Sequence, residues 1–255
     1  MARPVNLETL LKRDRTVVIV GLVAVIILAW SYTLLGAGMG MTAFQMTAMS
    51  SPAGAGMSDG TMPMNEDDGS GGMSGMLDSA MGAMTPVRWT PSYATLMFFM
   101  WWIMMMAMML PSASPMILLF ASINRKQRER GSPYVATGIF ALGYLLAWAG
   151  FSLAAVTLQW GFDRATLLSP MLVSTSVVLG GILLIGAGVW QLTPLKHACL
   201  RHCRSPIHFL AHGWRKGQLG ALQMGLEHGF FCLGCCWVLM ILLFYGGVMN
   251  LYWIV

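Results

Sequence analysis

Two short stretches hold most of the reactive side chains in this sequence. PLKHACLRHCRSP carries His197, Cys199, His202 and Cys203; EHGFFCLGCCW carries Glu227, His228, Cys232, Cys235 and Cys236. All five His and all five Cys of the 255 residues fall between positions 197 and 236. Thiolate and imidazole together are ligands for Cu(I) or, as a structural site, Zn²⁺. In the second stretch His228, Cys232, Cys235 and Cys236 stand at i, i+4, i+7 and i+8, so a helix puts all four on one face. Glu227 borders that face; it can ligate, pair with an inner-loop arginine, or orient His228. Cys199 and Cys203 are four apart, neighbours on a turn if that stretch is helical. Cys232 and Cys235 are the strongest ligand candidates, while Cys236, beside Trp237, also reads as a small packing residue. His208 and His212 read as interface residues without a ligand role. The spacing leaves open whether the two groups form one site or two.

The 24 methionines extend the same chemistry. Met39 and Met41, and Met62 and Met64, are M-x-M pairs; Met46/Met49, Met73/Met76 and Met81/Met84 are M-x-x-M pairs. A thioether is a soft ligand that favours Cu(I) and survives where a thiol would be oxidised. These residues are candidates for metal capture; a low-complexity segment without a metal is the plainer alternative. Met97, Met100, Met104 and Met108 recur at steps of three or four and stack on one helical face. They read either as a thioether path through the membrane or as flexible core filler.

The elements that must position these groups are membrane helices. Of the residues, 56% are hydrophobic and 10% charged, against about 25% charged in a soluble domain. Apolar runs long enough to span a bilayer lie at about 17–36, 93–121, 135–158, 168–191 and 219–245. The expected fold is all-α: a polytopic helical bundle of five transmembrane helices, with GGVMNLYWIV as an outer tail or the stub of a sixth. Residues 1–36 read as a cytoplasmic N-terminus with an uncleaved anchor. Residues 37–91, rich in Gly, Ser and Met, read as a disordered outer loop, and residues 92–255 as the Cys/His bundle. Pro111 and Pro115 are expected to break or bend the second helix. Gly180, Gly181, Gly186 and Gly188 suggest close helix packing.

Charge sets the orientation. All of the 15 Lys and Arg except Arg88 and Arg164 fall on one side of this helix plan, which places the N-terminus and the 197–216 loop in the cytoplasm. The formal charge of +5 is this positive-inside bias, so nucleic acid is excluded as a partner. Thiols on the cytoplasmic side stay reduced, which favours metal ligation over disulfides.

PLKHACLRHCRSP, HGFFCLGCCWVLM and GGVMNLYW, with MMMAMMLPSASPM in the second helix, resemble a prokaryotic family of predicted metal-binding integral membrane proteins, a domain of unknown function. The resemblance covers roughly residues 92–255. It implies a metal without naming one, and a further helix after the MNLYW segment. With it, the expected function is handling of Cu(I) in a prokaryotic inner membrane, with capture on the outer Met segment and transfer to the inner Cys/His ligands for transport or delivery. The competing expectations are an accessory or assembly subunit of a membrane metalloenzyme, and a structural zinc site without transport. A soluble metallochaperone or metalloenzyme subunits are the expected partners besides the lipid bilayer, with oligomerisation left open. No nucleotide loop, Ser–His–Asp arrangement or other catalytic signature is present.

Overall fold

The computed structural model describes residues 7–37, 42–49, 89–129, 135–167, 177–205, 209–210, 213–248 and 250–254. Among them every regular element is a helix. Helix α1 spans Leu7–Leu34, α2 Ala43–Met49, α3 Pro91–Glu129 and α4 Thr137–Arg164. Helix α5 spans Val177–Leu192, α6 Pro194–Arg204 and α7 Gly217–Ile241; the short turns α8 (Leu243–Gly246) and α9 (Leu251–Ile254) follow. Thr16–Leu34, Pro91–Gln127, Thr137–Arg164 and Gly217–Gly246 are each long and apolar enough to cross a membrane. A fifth span is reached only by joining Val178–Leu192 to Pro194–Cys203 across a 67° bend. The protein is an all-α membrane bundle. The fourth expected span corresponds to α5, and its first part, 168–176, lies outside the described residues.

Helix α3 is not broken at Pro111 and Pro115: it passes through both as a single helix. Each proline removes an amide donor. Between them, Ser112 Oγ donates to the Met109 carbonyl at 2.8 Å and Ser114 Oγ to the Leu110 carbonyl at 2.7 Å. These hydroxyls bond back to the preceding turn, as Ser does inside helices; the carbonyls that the prolines leave without an amide donor are those of Ala107 and Pro111. The face of α3 that carries Met97, Met100, Met104 and Met105 is fully buried. Buried Gln159 of α4 ties this face down: its Oε1 accepts from Trp101 Nε1 at 2.9 Å, and its Nε2 donates to Met97 Sδ at 3.4 Å.

The closest helix pair is α4 with α7. A Cβ at Gly143 would run into the Leu222 carbonyl, one at Gly225 into the Phe140 carbonyl, and one at Gly229 would stand 2.5 Å from the Ala147 Cβ. Small residues at i and i+4 on both helices let the backbones touch, which gains dispersion contacts along the seam. The glycines of α5 behave differently from expectation. Gly180 meets the Tyr245 ring, but a Cβ at Gly181, Gly186 or Gly188 would meet nothing within 4 Å. Helix α5 is peripheral, with Val178, Ile182, Ile185 and Leu192 exposed.

Part of the segment expected to lack structure is ordered. Thr42 and Gln45 form a capping box, with Thr42 N–H donating to Gln45 Oε1 at 2.9 Å and Gln45 N–H to Thr42 Oγ1 at 3.3 Å. That reciprocal pair satisfies two donors at the start of α2. Leu251 N–H donates to Thr47 Oγ1 at 3.0 Å, after the chain reverses at Gly247 with φ 97°. The C-terminal turn therefore lies against α2 and is not a free tail.

Candidate metal centre

The site is assembled from α6 and α7, with α4 behind them. Thr193 caps α6: its Oγ1 accepts from Lys196 N–H at 3.4 Å, and Pro194 fills the first turn. Both features favour helix initiation at the bend. The turn lays α6 across α7, and Cys199 and Cys203 fall on the contacting side. The Cys203 side chain reaches the thiols of both Cys232 and Cys235. Cys236 in turn lies within reach of Cys232 and Cys235. A Cβ at Gly234 would stand 2.8 Å from Cys199 Sγ, so Cys199 rests on the bare backbone of that glycine. The two cysteine groups of the sequence are one cluster in space, and all five cysteines are free thiols.

In this conformation the thiols are not arranged around a common point. Cys235 Sγ and Cys236 Sγ both donate to the Cys232 carbonyl, each at 3.0 Å. Among the described residues, no group of three or more His, Cys, Asp or Glu side chains forms a ready-made metal cage. Cys232 is buried, and its Sγ is 3.4 Å from Tyr144 Oη, which also reaches the Met109 carbonyl at 3.4 Å. Tyr144 thus joins α3, α4 and α7 beneath the cluster. Spacing alone did not mark it, since its Tyr identity is only one of several aromatic positions along α4.

The remaining candidates divide. His228 is 5% exposed and lies in an aromatic box, 5.6 Å from the Tyr144 ring, 6.3 Å from Phe140 and 5.9 Å from Phe209. It shares the α7 stripe with Cys232, one turn away. Glu227 turns outward to an ion pair with Arg215 at 3.4 Å, the side chains 43% and 51% exposed. This is one of the pairings its position allowed. His202 is exposed, stacks on Phe231 at 4.1 Å with the rings 6° from parallel, and its Nδ1 lies 3.1 Å from the Ala198 carbonyl. His197 is also exposed. Met108 of the α3 stripe is half-buried. Met39, Met41, Met62, Met64, Met73, Met76, Met81 and Met84 lie outside the described residues, as do His208 and His212.

What this arrangement offers is several soft donors at the junction of two helices, one of them turned 67° from the helix before it. Rotation of the Cys235 and Cys236 side chains away from the Cys232 carbonyl would free two sulfurs beside Cys203 and Cys232. A family model described as PpoB2, copper chaperone, matches residues 98–255, nearly the stretch that carried the sequence resemblance and one that contains every described member of the cluster. No curated protein and no solved structure matches.

Proposed function

This chain belongs to the PpoB2 copper-chaperone family, and on that premise we propose that it is a membrane-embedded Cu(I) carrier that holds its ion on the α6–α7 thiols. Cys203, Cys232 and Cys235 are the ligands, with Cys236 and Cys199 as exchange partners at the rim. The observation that carries this reading is the meeting of Cys203 with Cys232 and Cys235 across the helix junction. Soft thiolates select Cu(I). Loading requires each ligating thiol to release its proton, so the hydrogen bonds to the Cys232 carbonyl break as the ion enters. His228 stands behind Cys232 in its aromatic box and limits access from that side.

The cargo is Cu(I) on its way to an acceptor. Passage runs from the Met-rich segment, along Met97, Met100, Met104 and Met108, to the thiols, in order of increasing ligand strength. In the orientation that the lysines and arginines favour, the membrane is a prokaryotic inner membrane, the N-terminus is cytoplasmic and the thiols face the reducing side. The partner is then a soluble metallochaperone or a subunit of a membrane metalloenzyme that takes the ion from α6. Elemental analysis of protein purified from copper-supplemented cells tests the reading. About one copper per chain is expected in wild type, and Cys203→Ser or Cys232→Ser/Cys235→Ser should lose it. Wild type without copper would overturn the proposal, and stoichiometric zinc in its place would support a structural zinc site.

A further inference from the structure

Away from the cysteines, two cavities lie side by side along the seam between α1, α3 and α4. The first is an apolar groove of about 250 Å³ lined by Leu22 and Val25 of α1, Leu110 and Ile117 of α3, and Leu145 of α4. It borders a second cavity of about 190 Å³, the two sharing Val18, Thr137 and Gly138 in their walls. The second cavity is lined by Arg125 and Asn124, at the end where α1 begins its apolar run, α3 ends and α4 begins. The apolar part is membrane-deep: Thr137 to Leu145 is eight residues, ~12 Å along a helix.

The two halves make opposite demands on an occupant. Water does not fill a groove with almost no polar wall, and a free anion gains nothing from its length. Arg125 Nη2 donates to Ser122 Oγ at 3.1 Å, which steadies the guanidinium beside the polar cavity. Asn124 is held there too, its amide donating to the Val135 carbonyl. Helix α4 opens at the same place without a side-chain cap. An arginine pairs strongly with a phosphate, and basic pockets between membrane helices suit acidic head groups. Little of the α1 span is buried by protein, 11% of its most apolar window, so hydrocarbon has open access to the groove.

We infer that this seam binds one anionic glycerophospholipid, its phosphate on Arg125 and one acyl chain in the groove between α1, α3 and α4. The lipid fastens α1 to the bundle, and this inference does not depend on the copper reading. The test is thermal unfolding of the delipidated full chain in an uncharged detergent, with phosphatidylglycerol, phosphatidylcholine or glycerol phosphate added. Phosphatidylglycerol should raise the melting temperature, and the other two should not. Arg125→Ala should raise the phosphatidylglycerol concentration for half the effect by about tenfold, the cost of one charged hydrogen bond. Gly138→Phe should abolish the effect by filling the groove, since a Cβ there meets nothing within 4 Å; if it fails to fold, Gly21→Leu does the same from α1. Equal stabilisation by phosphatidylcholine would overturn the inference. So would equal stabilisation by glycerol phosphate, or a wild-type response in both the Arg125 and the groove variant.

Discussion

Cys199 and Gly234 meet without a side chain between them: a Cβ on the glycine would stand 2.8 Å from Cys199 Sγ. This contact lets α6 lie close enough to α7 for Cys203 to reach Cys232 and Cys235. Cys199 has one rotatable bond, so either its sulfur turns away from a methyl added at Gly234 or α6 lifts. Gly234→Ala is therefore expected to cost about 1–3 kcal/mol of stability, the usual range for overpacking, and to lower copper occupancy by lifting α6. Adding Cys199→Ala, which removes the sulfur and leaves a Cβ at an ordinary 3.6 Å, should restore most of both losses. A double-mutant cycle by unfolding in detergent measures the coupling; strictly additive effects would show that the contact does not position α6.

His202 separates positioning from ligation. Its ring lies flat on Phe231 at 4.1 Å, a stacking contact worth roughly 0.5–1.5 kcal/mol. If it acts by docking α6, His202→Phe keeps the copper content while His202→Ala reduces it. If it is a ligand, both variants lose copper alike. Elemental analysis of the two variants side by side distinguishes these roles.

The α4–α7 seam gives a stability test with an internal control. A Cβ at Gly225 runs into the Phe140 backbone carbonyl, and no rotamer change relieves a backbone clash. Gly225→Ala is expected to lower stability by about 3 kcal/mol, the upper end for overpacking. Gly188→Ala, where nothing lies within 4 Å, should be neutral or stabilising by roughly 0.5–1 kcal/mol, because glycine is the poorer helix former. Melting temperatures of the two variants in one detergent check the contrast.

These differences show what the sequence could and could not carry. Apolar run length located the long helices, because crossing hydrocarbon fixes that length. The stripe from His228 to Cys236 was legible because helical spacing is local. The meeting of Cys203 with Cys232 was not, since it depends on the bend at Thr193 and Pro194 and on which helix receives α6. Of the break or bend expected at the prolines of α3, the break does not occur; Ser112 and Ser114, read as spacers, bond back to the preceding turn. The glycines of α5 misled because small residues permit close packing but do not show that a partner is there. The capping box at Thr42 and Gln45 was readable and was hidden by the composition around it.

The buried thioethers of α3 allow a test of the proposed route of the ion. Met to Leu is nearly volume-conserving and costs under about 1.5 kcal/mol per site, so a variant with Leu at 100, 104 and 108 is expected to stay folded. Met97 is better left in place, because Gln159 Nε2 donates to its sulfur at 3.4 Å. If thioethers carry copper inward, protein in vesicles should load its thiols from outside several-fold more slowly in this variant, with unchanged copper capacity at equilibrium. An unchanged loading rate would assign these methionines to packing alone.

Tyr144 offers the finest probe of the thiol cluster. Its Oη lies 3.4 Å from Cys232 Sγ and 3.4 Å from the Met109 carbonyl, with the ring fully buried between α3, α4 and α7. If Cys232 is a Cu(I) ligand, it is a thiolate in the loaded state, a better acceptor than the thiol, so the phenol can turn its proton toward sulfur. That hydrogen bond would stabilise the loaded state more than the empty one. Tyr144→Phe keeps the ring and its packing and removes only the hydroxyl. It should weaken Cu(I) binding by about 3- to 20-fold, the equivalent of a hydrogen bond worth roughly 0.7–1.8 kcal/mol, with little change in the melting temperature of the copper-free protein. Competition with a chelator of known Cu(I) affinity gives the first quantity and thermal unfolding the second. A loss of stability without a change in affinity would mean that the hydroxyl serves the Met109 carbonyl and leaves the thiol alone.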